Sequence, residues 1–253
     1  MMFRAVFFLL GASLLSGCVT TGDTNPLDCK DGRAKAVTAY VQLGIGYLQQ
    51  GATERAKSPL QKALEIDPSN ADANAALAMV FQIEMEPELA EKYYRRALSE
   101  SDEPTRIQNN YGSFLFEQQR YPDAFEYFQK AAANTMYPGR SRVYENLGLT
   151  ALKLNQRPQA KTYFQKALRL DPTQSRSLLE IAIIAYEDKE YVPSREYYTR
   201  FKKDGEQNAR SLLLGIRLAT IFEERNLAAS DALQLKRLYP TSAEYQQYLL
   251  EKK

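Results

Sequence analysis

The chain has 253 residues and a formal net charge of +2, with no His, no Trp and two Cys. Without His it has no Ser-His-Asp or Cys-His nucleophile system and no zinc site built on imidazole, and two Cys cannot make a Cys-only zinc site or a disulfide scaffold. The small net charge gives the whole chain no attraction to nucleic acid, and 44% hydrophobic with 25% charged residues is a globular composition that favours helix.

Residues 1–17 have the features of a signal peptide. One cation, Arg4, precedes an apolar run over residues 5–15, which is shorter than the roughly 20 residues of a transmembrane helix. The run ends in Leu15-Ser16-Gly17-Cys18, which resembles the lipobox of bacterial lipoproteins. The resemblance implies cleavage before Cys18, a thioether-linked lipid on its sulfur and an acylated amino terminus. The alternative is an ordinary secretory signal followed by a chance Cys.

A lipid on Cys18 predicts membrane attachment without a spanning segment, because two or more acyl chains anchor a protein stably whereas one does so only marginally. Residue 19 is Val rather than Asp, which resembles the sorting pattern of Gram-negative lipoproteins exported to the outer membrane, here facing the periplasm. Residues 18–36 are interpreted as the lipidated Cys and a flexible tether, since residues 19–32 are polar and rich in turn formers. We assign no role to Cys29.

The rest of the chain carries an internal repeat of small and large residues. Ala56, Ala90, Ala124 and Ala160 recur at spacings of 34, 34 and 36, and each is followed seven residues later by another Ala. This spacing resembles the tetratricopeptide repeat, whose period is about 34 residues. The predicted fold is all-α, a superhelix of six helix-turn-helix units followed by a capping helix. The units are 37–70, 71–104, 105–138, 141–174, 175–208 and 209–242, with an insertion at 139–140 and the capping helix at 243–253.

Packing explains why small and large side chains alternate. A small residue such as Ala56 lets two helices approach closely, and a large one such as Leu60 or Phe128 fills the space between units. Pro59 falls inside the second helix of unit one, where proline costs about 3 kcal/mol, so a late start or a kink is expected. Unit six has Gly215-Ile216 where a large-small pair is expected, so its phase stays open.

Tetratricopeptide arrays usually bind partners in a groove lined by the first helix of each unit, at positions 2, 5, 9 and 12 of the unit. In unit one, Val41, Ile45 and Leu48 occupy three of these positions and form a candidate apolar binding patch. Unit two adds Met79. Unit five contributes a second apolar cluster, formed by Leu179, Ile183 and Tyr186. Burial of these side chains by the tether, the last helix or closure of the superhelix predicts the same composition, so both interpretations stay open.

Position 2 of units three to six is always Arg. These residues are Arg106, Arg142, Arg176 and Arg210. One interpretation is a basic strip that binds an acidic peptide or a carboxylate. The favoured alternative is ion pairing between units, with neighbours such as Glu145 and Glu180. The Lys and Asn pair of chaperone-binding tetratricopeptide domains is absent, because unit one has Val and Ile at positions 5 and 9 and no other unit has the pair.

Several runs of sequence resemble a more specific family. They are YVQLGIGYLQQG, AKSPLQKALEIDPSNADANAALA, NNYGSFLFEQQRY, RSRVYENLGL and NARSLLLGIRLA. Together with the lipobox and the six units, they look like the type IV pilus pilotin family, the PilF/PilW-type lipoproteins of Gram-negative bacteria. The resemblance runs over nearly the whole chain.

The resemblance implies a protein that is not an enzyme and that needs no metal and no cofactor beyond the lipid on Cys18. Such pilotins bind secretin subunits in the periplasm, carry them to the outer membrane and favour assembly of the multimeric channel on which twitching motility depends. We expect a monomer that binds protein and no nucleic acid. The alternative is an envelope scaffold adaptor that recruits peptidoglycan enzymes or outer-membrane assembly factors.

Overall fold

The structure is a computed structural model that describes residues 29–252. The predicted signal peptide and Cys18 lie outside this range. Within it the chain forms thirteen α-helices and no strand, which confirms the all-α prediction. The helices are α1 (Lys30–Gln49), α2 (Thr53–Ile66), α3 (Ala71–Ile83), α4 (Pro87–Ser99), α5 (Thr105–Glu117), α6 (Tyr121–Ala133), α7 (Arg140–Lys153), α8 (Arg157–Leu170), α9 (Ser175–Glu187), α10 (Tyr191–Asp204), α11 (Ala209–Ile221), α12 (Arg225–Leu238) and α13 (Ala243–Glu251). None of these helices is long and apolar enough to cross a bilayer.

The first twelve helices form six pairs that stack in chain order. The two helices of each pair pack together, and the second helix of one pair contacts the first helix of the next. The second helices begin at residues 53, 87, 121, 157, 191 and 225, so their spacings are 34, 34, 36, 34 and 34. Both helices of unit six begin 34 residues after those of unit five, which gives the two units the same phase. The last helix, α13, packs on α11.

A single left-handed residue ends the first helix of every pair. These residues are Gly51, Met85, Gln119, Asn155, Lys189 and Glu223, with φ between 58° and 72°. The next N–H bonds back to the carbonyl five residues earlier, as in Ala52 to Tyr47 at 2.9 Å and Glu224 to Ala219 at 2.8 Å. This bond satisfies one of the free carbonyls at the helix end. The sequence pattern did not indicate these turns, because only the first of the six positions is Gly.

Small residues allow the two helices of a unit to approach closely. A methyl group added at Gly148 would lie 2.6 Å from the ring of Phe164, and one added at Gly112 would lie 2.8 Å from the ring of Phe128. Both rings are almost completely buried. Phe128, predicted to fill the space between units, and Phe164 thus each pack against a glycine of their own unit, and this contact holds the two helices of the unit together.

The first helix begins earlier than predicted. α1 starts at Lys30, so the assignment of residues 30–36 to the tether is wrong. The Sγ atom of Cys29 accepts the N–H of Gly32 at 3.3 Å in the N-cap position, and Ala34, Lys35 and Ala36 are good helix formers. Gly32 was interpreted as a turn former, whereas it lies in the first turn of the helix.

Pro59 does not delay its helix. α2 begins at Thr53, in register with every other second helix, and continues through the buried Pro59 to Ile66. The expected late start is therefore wrong. The proline ring faces the core beside Leu60, where its burial offsets part of the cost of the lost backbone hydrogen bond.

Candidate partner-binding groove

The first helices of units one to four enclose a hollow of about 740 Å³, called here the first-helix groove. Its apolar part is formed by Ile45 and Leu48 of α1 with Ala76 and Met79 of α3. Its polar part comes from α5, α7 and the loops that precede α7 and α9. That part includes Arg106, Asn109, Asn110, Arg142 and Gln174. The loop residues Tyr137, Pro138 and Gly139 close one side. The groove therefore presents an apolar wall and a polar wall that combines amides, guanidinium groups and the carboxylate of Asp171.

A second hollow of about 300 Å³ lies further along the same helix, α5. It is lined by Ser113 and Phe116 of α5, Leu149 of α7 and Arg176 of α9. Residues 106, 109 and 110 of α5 line the first hollow and residues 113, 116 and 117 line the second. One face of α5 thus runs along both hollows.

Three of the predicted contact residues meet in the first-helix groove. Ile45 and Met79 are partly buried, and Leu48 is 9% exposed because it lines the groove and also packs in the core cluster shared with α2 and α3. The sulfur of Met79 lies 3.6 Å from Nδ2 of Asn110, at the border between the apolar and polar walls. The structure brings these three side chains together in one solvent-accessible hollow. Their contact with a partner stays a prediction.

Two predicted contact residues belong to the core instead. Val41 is 6% exposed and packs with Ala63 and Ala73, and Leu179 is 4% exposed. The small side chains of Ala63 and Ala73 let α3 come close enough to cover Val41. Leu179 lies in the core cluster that joins α8, α9, α10 and α11. These two residues are corrected from groove contacts to core residues.

The remaining predicted contacts lie elsewhere. Tyr186 lines a separate hollow of about 380 Å³ together with Arg217 of α11 and Tyr248 of α13. Ile183 is partly buried against the core of unit five. The two apolar clusters predicted from units one and five therefore do not form one surface.

The four arginines at position 2 divide into two kinds. Arg106 pairs with Asp72, and Arg210 forms two hydrogen bonds to Glu180, at 2.6 and 3.0 Å. Glu180 is only 4% exposed, and its hydrogen bonds raise the pKa of Arg210. Among the described residues, Arg142 and Arg176 form no ion pair, although both are exposed and each lines one of the two hollows on α5. The ion-pair interpretation is therefore right for two arginines and wrong for the other two.

Glu145, the other expected acidic partner, has a different role. Its Oε2 accepts the backbone N–H of Ser177 at 3.1 Å and the hydroxyl of the same residue at 2.7 Å. The carboxylate therefore binds the first turn of α9, where it also lies near the positive end of that helix. This use leaves Arg176 without the partner that the sequence suggested.

The sequence pattern does not indicate the side-chain amides in and beside the first-helix groove. Nδ2 of Asn146 lies 3.3 Å from Oδ1 of Asn109, so the two amides connect α7 to α5. Gln82 accepts the hydroxyl of Tyr94 at 2.8 Å and donates to Glu117 at 2.7 Å, which connects α3 to α4 and α5. Asn within a helix is unfavourable by propensity, and that was the available signal. The residues described by the structure include no group of three or more Cys, Asp and Glu that could hold a metal.

The chain is similar to known proteins over almost its whole length. Models of the tetratricopeptide repeat family match residues 37–70, 103–173 and 146–209. The type IV pilus assembly protein PilF of Pseudomonas aeruginosa is 57% identical over 249 residues, which cover 98% of this chain and 99% of that protein.

Two solved structures support the same relationship. The structure of Pseudomonas aeruginosa PilF has a TM-score of 0.85 and 58% identity, and the match covers 87% of this chain and 99% of that one. The structure of PilW, described as a widely conserved type IV pilus biogenesis factor, has a TM-score of 0.71 and 26% identity, with 84% of this chain and 98% of that one covered.

Proposed function

Because the chain belongs to the family of the type IV pilus assembly protein PilF, we propose that it acts in type IV pilus biogenesis as a pilotin. In this role it binds secretin subunits, promotes their localisation to the outer membrane and favours their assembly into multimers. It works by binding protein, without catalysis and without a cofactor other than the covalent lipid. The alternative role, an envelope scaffold adaptor, would use the same groove for a different partner.

The observation that carries this proposal is the apolar wall of the first-helix groove. Ile45, Leu48 and Met79 converge on a solvent-accessible hollow of about 740 Å³, a size that accommodates several side chains of a protein segment. Apolar side chains grouped in such a hollow favour docking of an apolar partner surface. Arg142 and the groove amides add polar groups that orient a bound segment.

The lipid on Cys18 would determine where the partner is delivered. Several acyl chains hold a protein stably at a membrane. A groove attached to that anchor by a short tether raises the effective concentration of its bound secretin at the same membrane. The proposed place of the protein is therefore the periplasmic face of the outer membrane.

The test replaces Ile45 and Met79 by Glu and measures secretin multimers in cells by gel electrophoresis without heating. We expect strong loss of multimers, because two carboxylates in the apolar wall would oppose docking, with helical content unchanged by circular dichroism. The matched control is Val192→Glu with Leu170→Glu, because these residues are 55% and 50% exposed away from the groove. Normal multimers in the groove variant would contradict the proposal. Co-purification with a partner other than the secretin would favour the adaptor role.

Lipidation is tested separately by the mass of the mature protein. We expect an acylated Cys18 in the wild-type chain and an unmodified, mislocalised protein after Cys18→Ala. An unacylated wild-type protein, or unchanged outer-membrane secretin in the variant, would count against the anchor.

A further inference from the structure

Within residues 29–252, no helix packs on the outer side of α1, whereas the preceding unit covers the corresponding side of each later first helix. Leu77, Tyr111, Leu147 and Ile181 occupy the same repeat position, and each is at most 1% exposed because the preceding unit covers it. The equivalent residue of α1 is Leu43, which is 48% exposed. The neighbouring Ala39 and Gln42 are exposed as well. Ala39, Gln42 and Leu43, with the flanking Tyr40 and Tyr47, are called here the end face.

Cations surround the end face. Arg33 and Lys35 precede it on α1, while Arg55 and Lys62 reach it from α2. The guanidinium of Arg55 lies 4.4 Å from the centre of the Tyr47 ring, and Nζ of Lys62 lies 5.8 Å from the centre of the Tyr40 ring. In the part of the chain that the structure describes, none of these four cations forms an ion pair with a carboxylate.

This arrangement has the chemistry of a membrane–water interface. An exposed leucine lies between two tyrosines, which have an apolar ring and a polar hydroxyl, and long basic side chains extend beyond them. The formal net charge of the whole chain is only +2, so attraction to an anionic surface has to come from a local group such as this one.

We propose that the end face lies on an anionic lipid bilayer. The surface is on the helix nearest in sequence to the proposed anchor, since Cys18 and Cys29 are 11 residues apart. Eleven residues span at most about 40 Å. The inference rests on the proposed anchor for its biological setting, while the affinity of the end face for lipid is independent of acylation. Contact at this face would orient the array with unit one at the membrane and unit six furthest from it.

The test uses the mature chain from residue 18 with Cys18→Ser, so that no acyl group contributes to binding. Binding is measured by co-sedimentation with vesicles of phosphatidylethanolamine containing about one quarter phosphatidylglycerol, whose charge attracts basic residues. We expect binding that is absent with phosphatidylcholine vesicles. It should also be lost when ionic strength rises from about 0.1 M to about 1 M, which shortens the Debye length from about 10 Å to about 3 Å.

Two charge-reversal variants with the same change in net charge locate the binding surface. The first replaces Arg33, Lys35, Arg55 and Lys62 by Glu and should weaken binding at least about tenfold. The control replaces Lys92, Lys153, Lys203 and Lys236 by Glu. These four are exposed residues of other units without ion pairs among the described residues, and their replacement should change binding less than about twofold. Circular dichroism establishes that both variants are folded.

Equal binding by the two variants, or no binding of the unacylated chain to anionic vesicles, would overturn the inference. Self-association through the end face without lipid binding would overturn it too, and sedimentation analysis would detect it. Failure of the anchor has a different signature. An unacylated Cys18 in cells together with charge-dependent vesicle binding would leave the end face supported and remove the anchor.

Discussion

The middle units and the end of the array use a glycine at a helix contact in two different ways. In units three and four, Gly112 and Gly148 each face the buried ring of a phenylalanine. At the junction of units five and six, the space left by Gly215 is filled by the hydroxyl of Tyr198 and the carboxylate of Asp231. The absence of a side chain on glycine thus makes room for an apolar ring in the middle of the array and for polar groups at its end.

This difference indicates where the array is least stable. Asp231 is 2% exposed, and its Oδ2 atom has no hydrogen-bond partner within the part of the chain that the structure describes. Burial raises the pKa of this carboxyl group, while the nearby Lys202 opposes the change. A buried carboxylate oxygen without a hydrogen-bond partner is destabilising, whereas a buried phenylalanine ring against glycine is stabilising. We expect unit six to open before the middle units.

The largest expected effect tests the middle of the array. Phe164→Ala should lower the free energy of unfolding by about 3–5 kcal/mol, because it removes a fully buried ring and leaves a cavity beside Gly148. Urea denaturation followed by circular dichroism measures the loss. The matched control is Tyr163→Ala, whose side chain is only partly buried. A loss below about 1 kcal/mol for Phe164→Ala would contradict the view that this contact holds the middle units.

The second prediction compares how the stability of the two regions depends on pH. Glu91 joins units two and three, and although burial raises its pKa, hydrogen bonds from Arg95, Arg120 and Tyr111 lower it to about 2. Since this folded-state pKa lies below the ordinary value, the stabilisation is present above about pH 4.5 and is lost as the pH falls toward 2. The loss should reach about 2 kcal/mol at pH 3 and about 3 kcal/mol when the group is fully protonated.

Asp231 should respond to acid with the opposite sign. Its folded-state pKa lies above the ordinary value, so the cost of its charge is present at neutral pH and disappears as the pH falls through the folded-state pKa. Amide hydrogen exchange from pH 7 to pH 3 separates the two regions. Glu91→Gln should flatten the response of α4 and α5, and Asp231→Asn should flatten that of α11 and α12. A change of amide protection with pH that has the same sign in both regions would contradict the prediction.

The third prediction removes the charge at the end of the array. Asp231→Asn should raise the free energy of unfolding of unit six by about 1–2 kcal/mol, because a neutral amide is less costly to bury than a carboxylate with an unpartnered oxygen. The readout is the protection of α11 and α12 amides at pH 7. Glu196→Asn on the exposed side of α10 is the control and should have little effect. Decreased protection in Asp231→Asn would show that the carboxylate stabilises the junction.

The smallest expected effect compares the first and last turns. Gly51→Ala should cost about 1 kcal/mol, because a Cβ atom is unfavourable in the left-handed region. Glu223→Gly should be stabilising by less than about 1 kcal/mol, since Gly tolerates this backbone but loses more entropy on folding. Thermal melting detects both changes. An unchanged melting temperature after Gly51→Ala would argue that the turn relaxes to another conformation.

The repeat was predictable from sequence because its main contacts recur locally. The spacing of Ala56 and Ala90, and the large residues that follow them, reflect helix contacts that every unit repeats. The expectation that positions 2, 5, 9 and 12 of each unit line the groove is wrong for Val41. The burial of Val41 depends on how closely α3 approaches, which is set by Ala63 and Ala73. The expectation treats all units as equal, whereas their interfaces differ.

The polar contacts of the groove could not be predicted for a related reason. Arg106 and Arg142 occupy the same repeat position, yet among the described residues only Arg106 forms an ion pair, with Asp72. Whether a guanidinium group finds a partner depends on side chains of another helix about thirty residues away. Sequence spacing identifies the arginines but does not reveal which of them are left for a ligand.

One side of the first-helix groove is formed by the six-residue loop between α6 and α7 instead of a helix. Most of the groove is lined by helices that stack in chain order, whereas residues 134–139 form a six-residue loop, longer than the four- or five-residue loops that connect the other units. Tyr137 and Gly139 of this loop line the groove. A shift of this loop would change the width of the groove without displacing a helix, so the proposed binding of partner segments of different width would not require a unit to unfold.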